Sequence, residues 1–192
     1  MTTNPLEKFK RLMREARRAG IELPEAMALA TSDERGRPSV RFMLLKEATE
    51  KGFVFYTNTL SPKGRDMLAN PWAALAFYWH ETGRQVRVEG KLFALSASDA
   101  DEYWSQRPRG SQLASAVSLQ SAALDSYGDL VAAYRELERT RQGGSVPRPD
   151  HWKGFRVRPD RIEFWTRREP RLHLRESYQK RRGRWYATLL QP

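Results

Sequence analysis

The stretch from Glu163 to Arg175, EFWTRREPRLHLR, concentrates side chains that could bind an anion. Its last five residues alternate arginine, leucine, histidine, leucine and arginine. In a β-strand successive side chains point to opposite faces, so a regular strand would place Arg171, His173 and Arg175 on one face. Basic groups crowded on one face repel each other unless an anion lies among them. The spacing therefore predicts an anionic ligand at this strand.

A second candidate anion site lies where a strand gives way to a helix. Tyr56 and Thr57 close a predicted strand, GFVFYTN. Ser61 and Pro62 then suit the N-cap and the first position of a helix. A helix N-terminus presents free N–H groups and a positive dipole end, so with Lys63 nearby it suits a phosphate. An ordinary helix cap with solvated charges explains the same residues, and the local pattern by itself favours that explanation.

A third cluster lies in YWSQRPRGSQ, residues 103 to 112. Tyr103 and Arg107 are four residues apart and would share one face of a predicted helix, which Pro108 ends. Ser111 follows at the helix exit. These donors suit a phosphate, which carries about −1.5 to −2 charges near neutrality. A basic surface loop explains this cluster equally well.

The composition excludes several classes of site. The chain has 192 residues, a net charge of +11 and no cysteine, so disulfides, thiol catalysis and thiolate metal sites are excluded. Its three histidines lie far apart without metal-ligand spacing, so no metal site is predicted. The basic residues are spread along the whole chain, which disfavours nucleic acid as a partner. No window approaches roughly 18 apolar residues, so we expect a cytoplasmic protein without a membrane partner.

Hydrophobic periodicity predicts an α+β fold built on a small, mostly antiparallel barrel. We expect one domain over residues 1–192, with a leading helix over 1–20 and a helical insertion over 97–141. Barrel strands are predicted within 26–95 and 154–192. The tight turn Glu81-Thr82-Gly83 should join two of these strands, and the segment GSQLASAVSLQS should link two helices of the insertion.

From about Ala26 to its end, the chain resembles the pyridoxine/pyridoxamine 5′-phosphate oxidase family. The resemblance rests on separated segments in the right order: RFMLLK, GFVFYTN, RQVRVEG, YWSQRPRGSQ, VSLQS and IEFW with RLHLR. It implies an FMN-binding, mostly antiparallel split β-barrel with peripheral helices. It also implies a homodimer that holds the flavin at the subunit interface with residues from both chains.

Carried over residue by residue, the resemblance implies two sets of ligand contacts. The flavin contacts would be Arg41, Met43, Leu44, Tyr56, Thr57, Lys63, Gln85, Gln120, Ser121, Trp165 and Arg175. The contacts to the vitamin B6 phosphate and ring would be Lys46, Tyr103, Arg107, Ser111, Arg171 and His173. Two phosphorylated ligands need two anion pockets, which agrees with the separate clusters of basic and hydroxyl groups.

The activity implied by the resemblance is oxidation of pyridoxamine or pyridoxine 5′-phosphate to pyridoxal 5′-phosphate, with O₂ as electron acceptor and hydrogen peroxide as product. A hydride would pass from the C4′ carbon of the substrate to N5 of the flavin. Arg171 and His173, the expected catalytic residues, would cover the reacting carbon. The alternative is a related split-barrel flavoprotein that oxidises another substrate, such as a phenazine precursor. A non-catalytic basic binding module is a third hypothesis and would hold no flavin.

Three positions depart from the family pattern. Pro62 stands where the family usually has an arginine before its lysine, and Arg65, one turn further on, is a candidate replacement. Leu174 replaces an aspartate common in the R-L-H-D-R motif. The terminal LLQP lacks the arginine of the usual R-L-x-P ending. FMN affinity and substrate identity are the properties that these changes concern.

Overall fold

A computed structural model describes residues 4–192, and their contacts divide into two compact units. The first unit takes the described residues up to Phe55, together with Asp66–Phe93 and Arg156–Pro192. The second takes Tyr56–Arg65 and Ala94–Phe155, and so contains the whole predicted insertion over 97–141. The organisation of residues 1–192 as one domain stays a prediction. Within the described residues, no helix has the length and apolar character needed to cross a membrane.

Residues 4–192 form five helices and nine strands. The helices are α1 (Pro5–Arg18), α2 (Pro62–Ala69), α3 (Ala97–Ser105), α4 (Arg109–Val117) and α5 (Tyr127–Thr140). The strands are β1 (Ala26–Ser32), β2 (Pro38–Leu44), β3 (Glu47–Thr49), β4 (Gly52–Asn58), β5 (Trp72–Trp79), β6 (Arg84–Ala94), β7 (Trp152–Thr166), β8 (Leu174–Arg181) and β9 (Arg184–Leu190).

The strands form one sheet in the order β2-β1-β5-β6-β7-β4-β3, with β8 pairing with β7 and with β9. The pairs β1–β2, β1–β5, β3–β4, β5–β6, β7–β8 and β8–β9 are antiparallel. The predicted turn between β5 and β6 is confirmed, because Gly83 has a φ of 59° and its N–H donates to the His80 carbonyl. An antiparallel sheet with helices in separate stretches of chain confirms the predicted α+β class.

The leading helix predicted over residues 1–20 is present as α1, and residues 1–3 of that prediction lie outside the described residues. The Asn4 side chain caps it by accepting a hydrogen bond of 2.9 Å from an N–H of the first turn. Gly20, in a left-handed conformation with a φ of 78°, follows its end as predicted. The apolar face of α1 is buried: Phe9 packs edge-on against Phe53 and Phe77, each with a ring-centroid distance of 5.0 Å.

The second unit has its own core, a cluster of four buried residues: Trp104, Leu113, Val146 and Trp152. The indole N–H of Trp104 donates to the Val146 carbonyl at 2.7 Å, which ties α3 to the segment before β7. Side chains from α5 pack on this cluster, and none of the α5 residues is itself buried. The cluster therefore fixes the segments on which three of the predicted substrate residues lie: Tyr103, Arg107 and Ser111.

One part of the insertion was predicted wrongly. Residues 109–117, predicted to form the exit of one helix and the link to the next, form the separate helix α4, and α3 ends at Ser105. Ser, Ala and Gln carry little apolar periodicity, so the pattern alone gives a weak helical signal. The helix is defined by packing instead, since Leu113 in its middle is completely buried.

Candidate active site

In the first unit, Arg41 on β2 is held by a network that the sequence did not indicate. Its Nη1 atom donates to the Thr31 hydroxyl at 2.7 Å and to the Leu29 carbonyl at 3.2 Å. Asp66 accepts from Thr31 at 2.7 Å and lies 3.8 Å from Nη2 of Arg41. Burial lowers the pKa of Arg41, and the Asp66 carboxylate partly opposes this effect. These contacts fix the orientation of the guanidinium.

The β7–β8 pair places Trp165 directly opposite Arg175. The Nε atom of Arg175 donates to Glu163 at 2.9 Å, and this hydrogen bond raises the pKa of Arg175. Glu163 is only 3% exposed and also accepts from Arg161 at 3.3 Å. The sequence interpretation missed Glu163, although the two-residue alternation along β7 places it on the same face as Trp165.

The prediction that one strand face carries Arg171, His173 and Arg175 is wrong. Strand β8 begins only at Leu174, so Arg175 alone lies within it. Pro170 precedes these residues after a cis peptide bond and has no N–H with which to continue the strand pairing. Arg171 adopts a φ of 88°, a conformation that residues other than glycine rarely take.

His173 nevertheless lies close to one predicted flavin residue, Trp165. Its ring centroid lies 4.6 Å from that of Trp165. Its Nδ1 atom accepts a hydrogen bond of 3.2 Å from the backbone N–H of Arg168. A neutral imidazole that accepts at Nδ1 carries its proton on Nε2, so this ring can donate there.

Other predicted contacts of the first unit lie on strands. On β2, Met43 lies opposite Met27 and Leu44 opposite Ala26. On β6, Gln85 lies opposite Tyr78. Each position is set by antiparallel pairing, which fixes the face to which the side chain points.

Lys46 lies just beyond the end of β2, and its backbone N–H donates to the Val54 carbonyl at 2.8 Å. It lines a cleft of about 290 Å³ in the first unit, together with residues of α1 that include Arg14 and Arg17. Two glutamates line the cleft as well, so Lys46 lies among both basic and acidic groups.

In the second unit, four residues that we name the Lys63 group gather at the start of α2: Thr57, Ser61, Lys63 and Gln120. Lys63 is 7% exposed, and its ammonium donates to the Gln120 side-chain oxygen at 2.8 Å and to the Ser61 hydroxyl at 3.2 Å. Thr57 donates to the same Gln120 oxygen at 3.5 Å. The Ser61 hydroxyl also accepts from the Gly64 N–H at 3.3 Å, which confirms Ser61 as the predicted helix cap.

The Lys63 group has the chemistry of a phosphate site. A buried ammonium, hydroxyl groups and an amide lie together at a helix N-terminus, where backbone dipoles favour negative charge. Gln120 comes from the loop after α4, and the next residue, Ser121, has a positive φ of 68°. Sequence spacing alone could not reveal that this loop reaches Lys63, because the two lie 57 residues apart.

Also in the second unit, Tyr103, Arg107 and Ser115 form what we name the Arg107 group. The prediction that Tyr103 and Arg107 share a helix face is wrong, since α3 ends at Ser105. Arg107 instead folds back: Nη1 donates to the Ser115 hydroxyl at 3.1 Å, and the guanidinium carbon lies 4.7 Å from the Trp152 ring centroid. Burial lowers the pKa of Arg107, and nearby Tyr103 partly opposes this. Ser111 lies in the first turns of α4.

A stack of aromatic rings joins a predicted flavin residue to a predicted substrate residue. The Tyr56 and Tyr103 rings lie 4.2 Å apart with their planes 10° apart. Trp152 is parallel to Tyr56, with a centroid distance of 4.9 Å and an angle of 9°. Gly154 makes room for the stack, since a Cβ atom there would lie 2.7 Å from Cε1 of Tyr56. The sequence interpretation did not single out Trp152.

The chain matches two described families. Residues 13–141 match "Pyridoxamine 5'-phosphate oxidase", and residues 152–192 match "Pyridoxine 5'-phosphate oxidase C-terminal dimerisation region". A protein of Myxococcus xanthus named pyridoxine/pyridoxamine 5′-phosphate oxidase is 47% identical over 98% of this chain and 92% of its own length. A protein of the same name in Rubrobacter xylanophilus is 50% identical over 98% of this chain and 87% of its own length. Another in Zymomonas mobilis is 45% identical over the full length of both chains.

Solved structures of similar fold are also found. PhzG from Burkholderia lata, in complex with tetrahydrophenazine-1-carboxylic acid, has a TM-score of 0.94 and 34% identity, over 98% of this chain and 93% of that one. A pyridoxamine 5′-phosphate oxidase-related, FMN-binding protein from Nostoc punctiforme has a TM-score of 0.80 and 18% identity, over 100% and 99%. The second likeness concerns the fold alone. Together they confirm the predicted split-barrel class.

Proposed function

The chain belongs to the pyridoxamine 5′-phosphate oxidase family, and we propose that it oxidises pyridoxamine or pyridoxine 5′-phosphate to pyridoxal 5′-phosphate. O₂ takes up the two electrons and leaves as hydrogen peroxide; the amine substrate also takes up water and releases ammonia. The observation that carries the proposal is the identity of 43–50% with relatives of that name over 98% of the chain or more. The Lys63 group and the Arg107 group agree with two phosphorylated ligands.

FMN is the cofactor in this proposal, and the Lys63 group fits its phosphate. The Lys63 ammonium and the Thr57 hydroxyl are donors of the kind that bind phosphate oxygens. Bound FMN supplies the two-electron redox chemistry that amino acid side chains lack. The other proposed flavin contacts are Arg41, Met43, Leu44, Tyr56, Gln85, Gln120, Ser121, Trp165 and Arg175.

The Arg107 group and Ser111, both in the second unit, are the proposed contacts of the substrate phosphate, and the resemblance implies Lys46 as a further contact. The Arg107 guanidinium carries its charge even where burial lowers its pKa, because its ordinary value lies far above neutrality. Its planar fork also suits bidentate contact with phosphate oxygens. These residues bind and orient the substrate, and they discriminate against analogues that lack the phosphate.

Arg171 and His173 are proposed to cover the reacting carbon of the substrate. An arginine does not lose its proton at physiological pH, so Arg171 acts by position and charge. His173 is held by Trp165 and by the Arg168 N–H, with Nε2 as its donor. Together they would orient the ring and exclude water at the reacting carbon.

Oxygen consumption and formation of pyridoxal 5′-phosphate test the proposed function directly. FMN-loaded protein should consume O₂ on addition of pyridoxamine 5′-phosphate and form pyridoxal 5′-phosphate in equal amount. The purified protein should also show the visible absorbance of bound flavin. Protein that binds FMN but leaves both phosphorylated substrates unchanged would contradict the proposal.

Oxidation of a phenazine precursor is a second candidate function, favoured by the likeness to the PhzG structure. A phenazine carboxylic acid carries no phosphate, so its oxidation would not need the Arg107 group. Replacing Arg107 with Ala should therefore weaken activity on pyridoxamine 5′-phosphate and spare any activity on a phenazine precursor. If only the precursor is oxidised, the second candidate function replaces the first.

We also propose that the protein works as a homodimer. The match of residues 152–192 to a dimerisation region supports this state. Strand β2 supports it as well, because Val40 and Phe42 point an apolar surface outward and are 68% and 81% exposed. Large exposed apolar side chains side by side are typical of a surface that a partner covers.

A further inference from the structure

Trp152 lies at the centre of the second unit and is 6% exposed. Its backbone is held on both sides: its N–H donates to the Pro149 carbonyl at 2.9 Å, and its carbonyl accepts from Arg148 at 2.9 Å. The Trp104 ring meets it edge-on, with a centroid distance of 4.9 Å and an angle of 70°. The indole therefore has a fixed place and a fixed plane.

Three proposed ligand-binding side chains lie against this one indole. Tyr56, proposed for flavin, is parallel to it at 4.9 Å. Tyr103, proposed for the substrate phosphate, has a plane only 2° away and a centroid distance of 6.2 Å. The Arg107 guanidinium carbon lies 4.7 Å from its ring centroid. A cation over an aromatic face is attracted to the negative charge of that face, which favours a defined guanidinium position.

We infer that Trp152 is a positioning residue that holds Tyr103 and Arg107 in the geometry that recognises the substrate phosphate. This inference rests on the proposed function. The indole contributes no donor or acceptor to the ligand in this role; it acts through the two side chains packed on it. Phosphate recognition should depend on Trp152 more than flavin binding does, because the Arg107 guanidinium lies over the indole at 4.7 Å, whereas the flavin phosphate is assigned to the separate Lys63 group.

The test compares the proposed product with an analogue that lacks only its phosphate. Pyridoxal 5′-phosphate and pyridoxal are titrated into FMN-loaded protein, and the change in flavin absorbance gives each dissociation constant. For W152L, the constant for pyridoxal 5′-phosphate should rise about tenfold and that for pyridoxal should change by less than about twofold. Titration of FMN into the apoprotein should show a change of at most about threefold.

V146A is the matched control, since Val146 belongs to the same buried cluster and makes none of the ring contacts with Tyr56, Tyr103 or Arg107. It should lower the melting temperature and leave the ratio of the two dissociation constants as in the wild type. Equal weakening of pyridoxal 5′-phosphate and pyridoxal in W152L would show a merely structural role and would overturn the inference.

A second variant decides the question if W152L does not fold. W152F keeps an aromatic face that attracts a cation less strongly than an indole does, so the ratio of dissociation constants should shift by about threefold. An unchanged ratio in W152F would overturn the inference. Wild-type protein that neither turns over nor binds the phosphorylated ligands would instead contradict the proposed function. The two failures are therefore distinguishable.

Discussion

Three proposed flavin-binding cations differ in the groups that hold them. Arg175 donates to the buried carboxylate of Glu163, and Arg41 donates to a hydroxyl and a carbonyl with Asp66 nearby. Lys63 donates to two neutral oxygens, from Ser61 and Gln120. Lys63 also lies at the start of α2, where the helix dipole favours negative charge. Replacing Lys63 therefore tests the proposed phosphate contact directly.

Replacing Lys63 with Met should weaken FMN binding about 10- to 100-fold, because a hydrogen bond to a charged group contributes about 1.5–3 kcal/mol. Fluorescence quenching of FMN by the apoprotein measures the dissociation constant. Lys51→Met, at an exposed lysine in the turn before β4, is the matched control and should bind FMN as the wild type does. Equal affinity in both variants would contradict the assigned phosphate contact.

Replacing Arg171 with Lys should reduce kcat/KM for pyridoxamine 5′-phosphate by about tenfold or more, because lysine lacks the planar fork that positions a bound group. FMN affinity should stay within about twofold of the wild type, since Arg171 is proposed to contact the substrate and not the flavin. Arg168→Lys, in the same turn, provides the control. Unchanged turnover in Arg171→Lys would remove Arg171 from the proposed set.

Among the elements, the start of β7 packs tightly against the aromatic stack. Gly154 lies in β7, two residues after Trp152, whose ring stacks on Tyr56. A Cβ atom at Gly154 would lie 2.7 Å from the Tyr56 ring and 2.8 Å from the Leu95 side chain. Contacts that short require a displacement, so the glycine is needed for space rather than for backbone conformation.

Gly154→Ala should displace the Tyr56 ring and lower the free energy of unfolding by about 1–3 kcal/mol, the usual cost of overpacking. The melting temperature should fall by several degrees, and FMN should bind more weakly. Gly144→Ala is the matched control, because the nearest atom to its Cβ lies 3.7 Å away and its φ is not positive. A Gly154→Ala protein as stable as this control would contradict the packing argument.

Sequence reasoning succeeded where a local rule was sufficient. The cap at Ser61, the glycine after α1 and the hairpin turn at Gly83 follow from short-range stereochemistry, and all three are confirmed. It failed for α4, whose helical state depends on burial of Leu113, and for the residues before Leu174, where Pro170 interrupts the strand. At α4, packing outweighs the weak local helical propensity. Before Leu174, the proline lacks the backbone N–H that strand pairing needs.

The residue types of the candidate site could be predicted from the sequence, whereas the contacts between these residues could not. Lys63 and Gln120 were each identified through the resemblance, yet their contact spans 57 residues. Trp152 was not singled out from the sequence, because an aromatic side chain gives no local sign of the rings that it will contact. Glu163 alone had a usable signal, its alternation with Trp165 along β7.

At the scale of the whole molecule, the outward face of β2 is a candidate partner surface in the proposed homodimer. Val40 and Phe42 form an apolar surface on an end strand of the sheet order. Arg41 and Met43 alternate with them along the strand. One strand thus carries both proposed flavin contacts and proposed partner contacts, which links flavin affinity to the association of two chains.

Phe42→Asp should dissociate the dimer, because a carboxylate would have to lose its water at the contact. Light scattering after size-exclusion chromatography should give the 22.3 kDa of one chain instead of twice that mass. FMN affinity should fall in parallel. Leu68→Asp, at an exposed leucine of α2, is the control and should remain dimeric. A dimeric Phe42→Asp protein would place the interface elsewhere.

Arg175 donates a hydrogen bond of 2.9 Å from Nη1 to the Gln191 carbonyl, and this contact has a practical consequence for protein production. An affinity tag fused after Pro192 would be separated by that residue alone from the Gln191 carbonyl, which accepts from Arg175, a proposed flavin contact. Its linker would add a flexible, solvated chain next to this hydrogen bond. A tag at the N-terminus avoids this contact, so flavin content should be compared between the two tag positions before any kinetic comparison of variants.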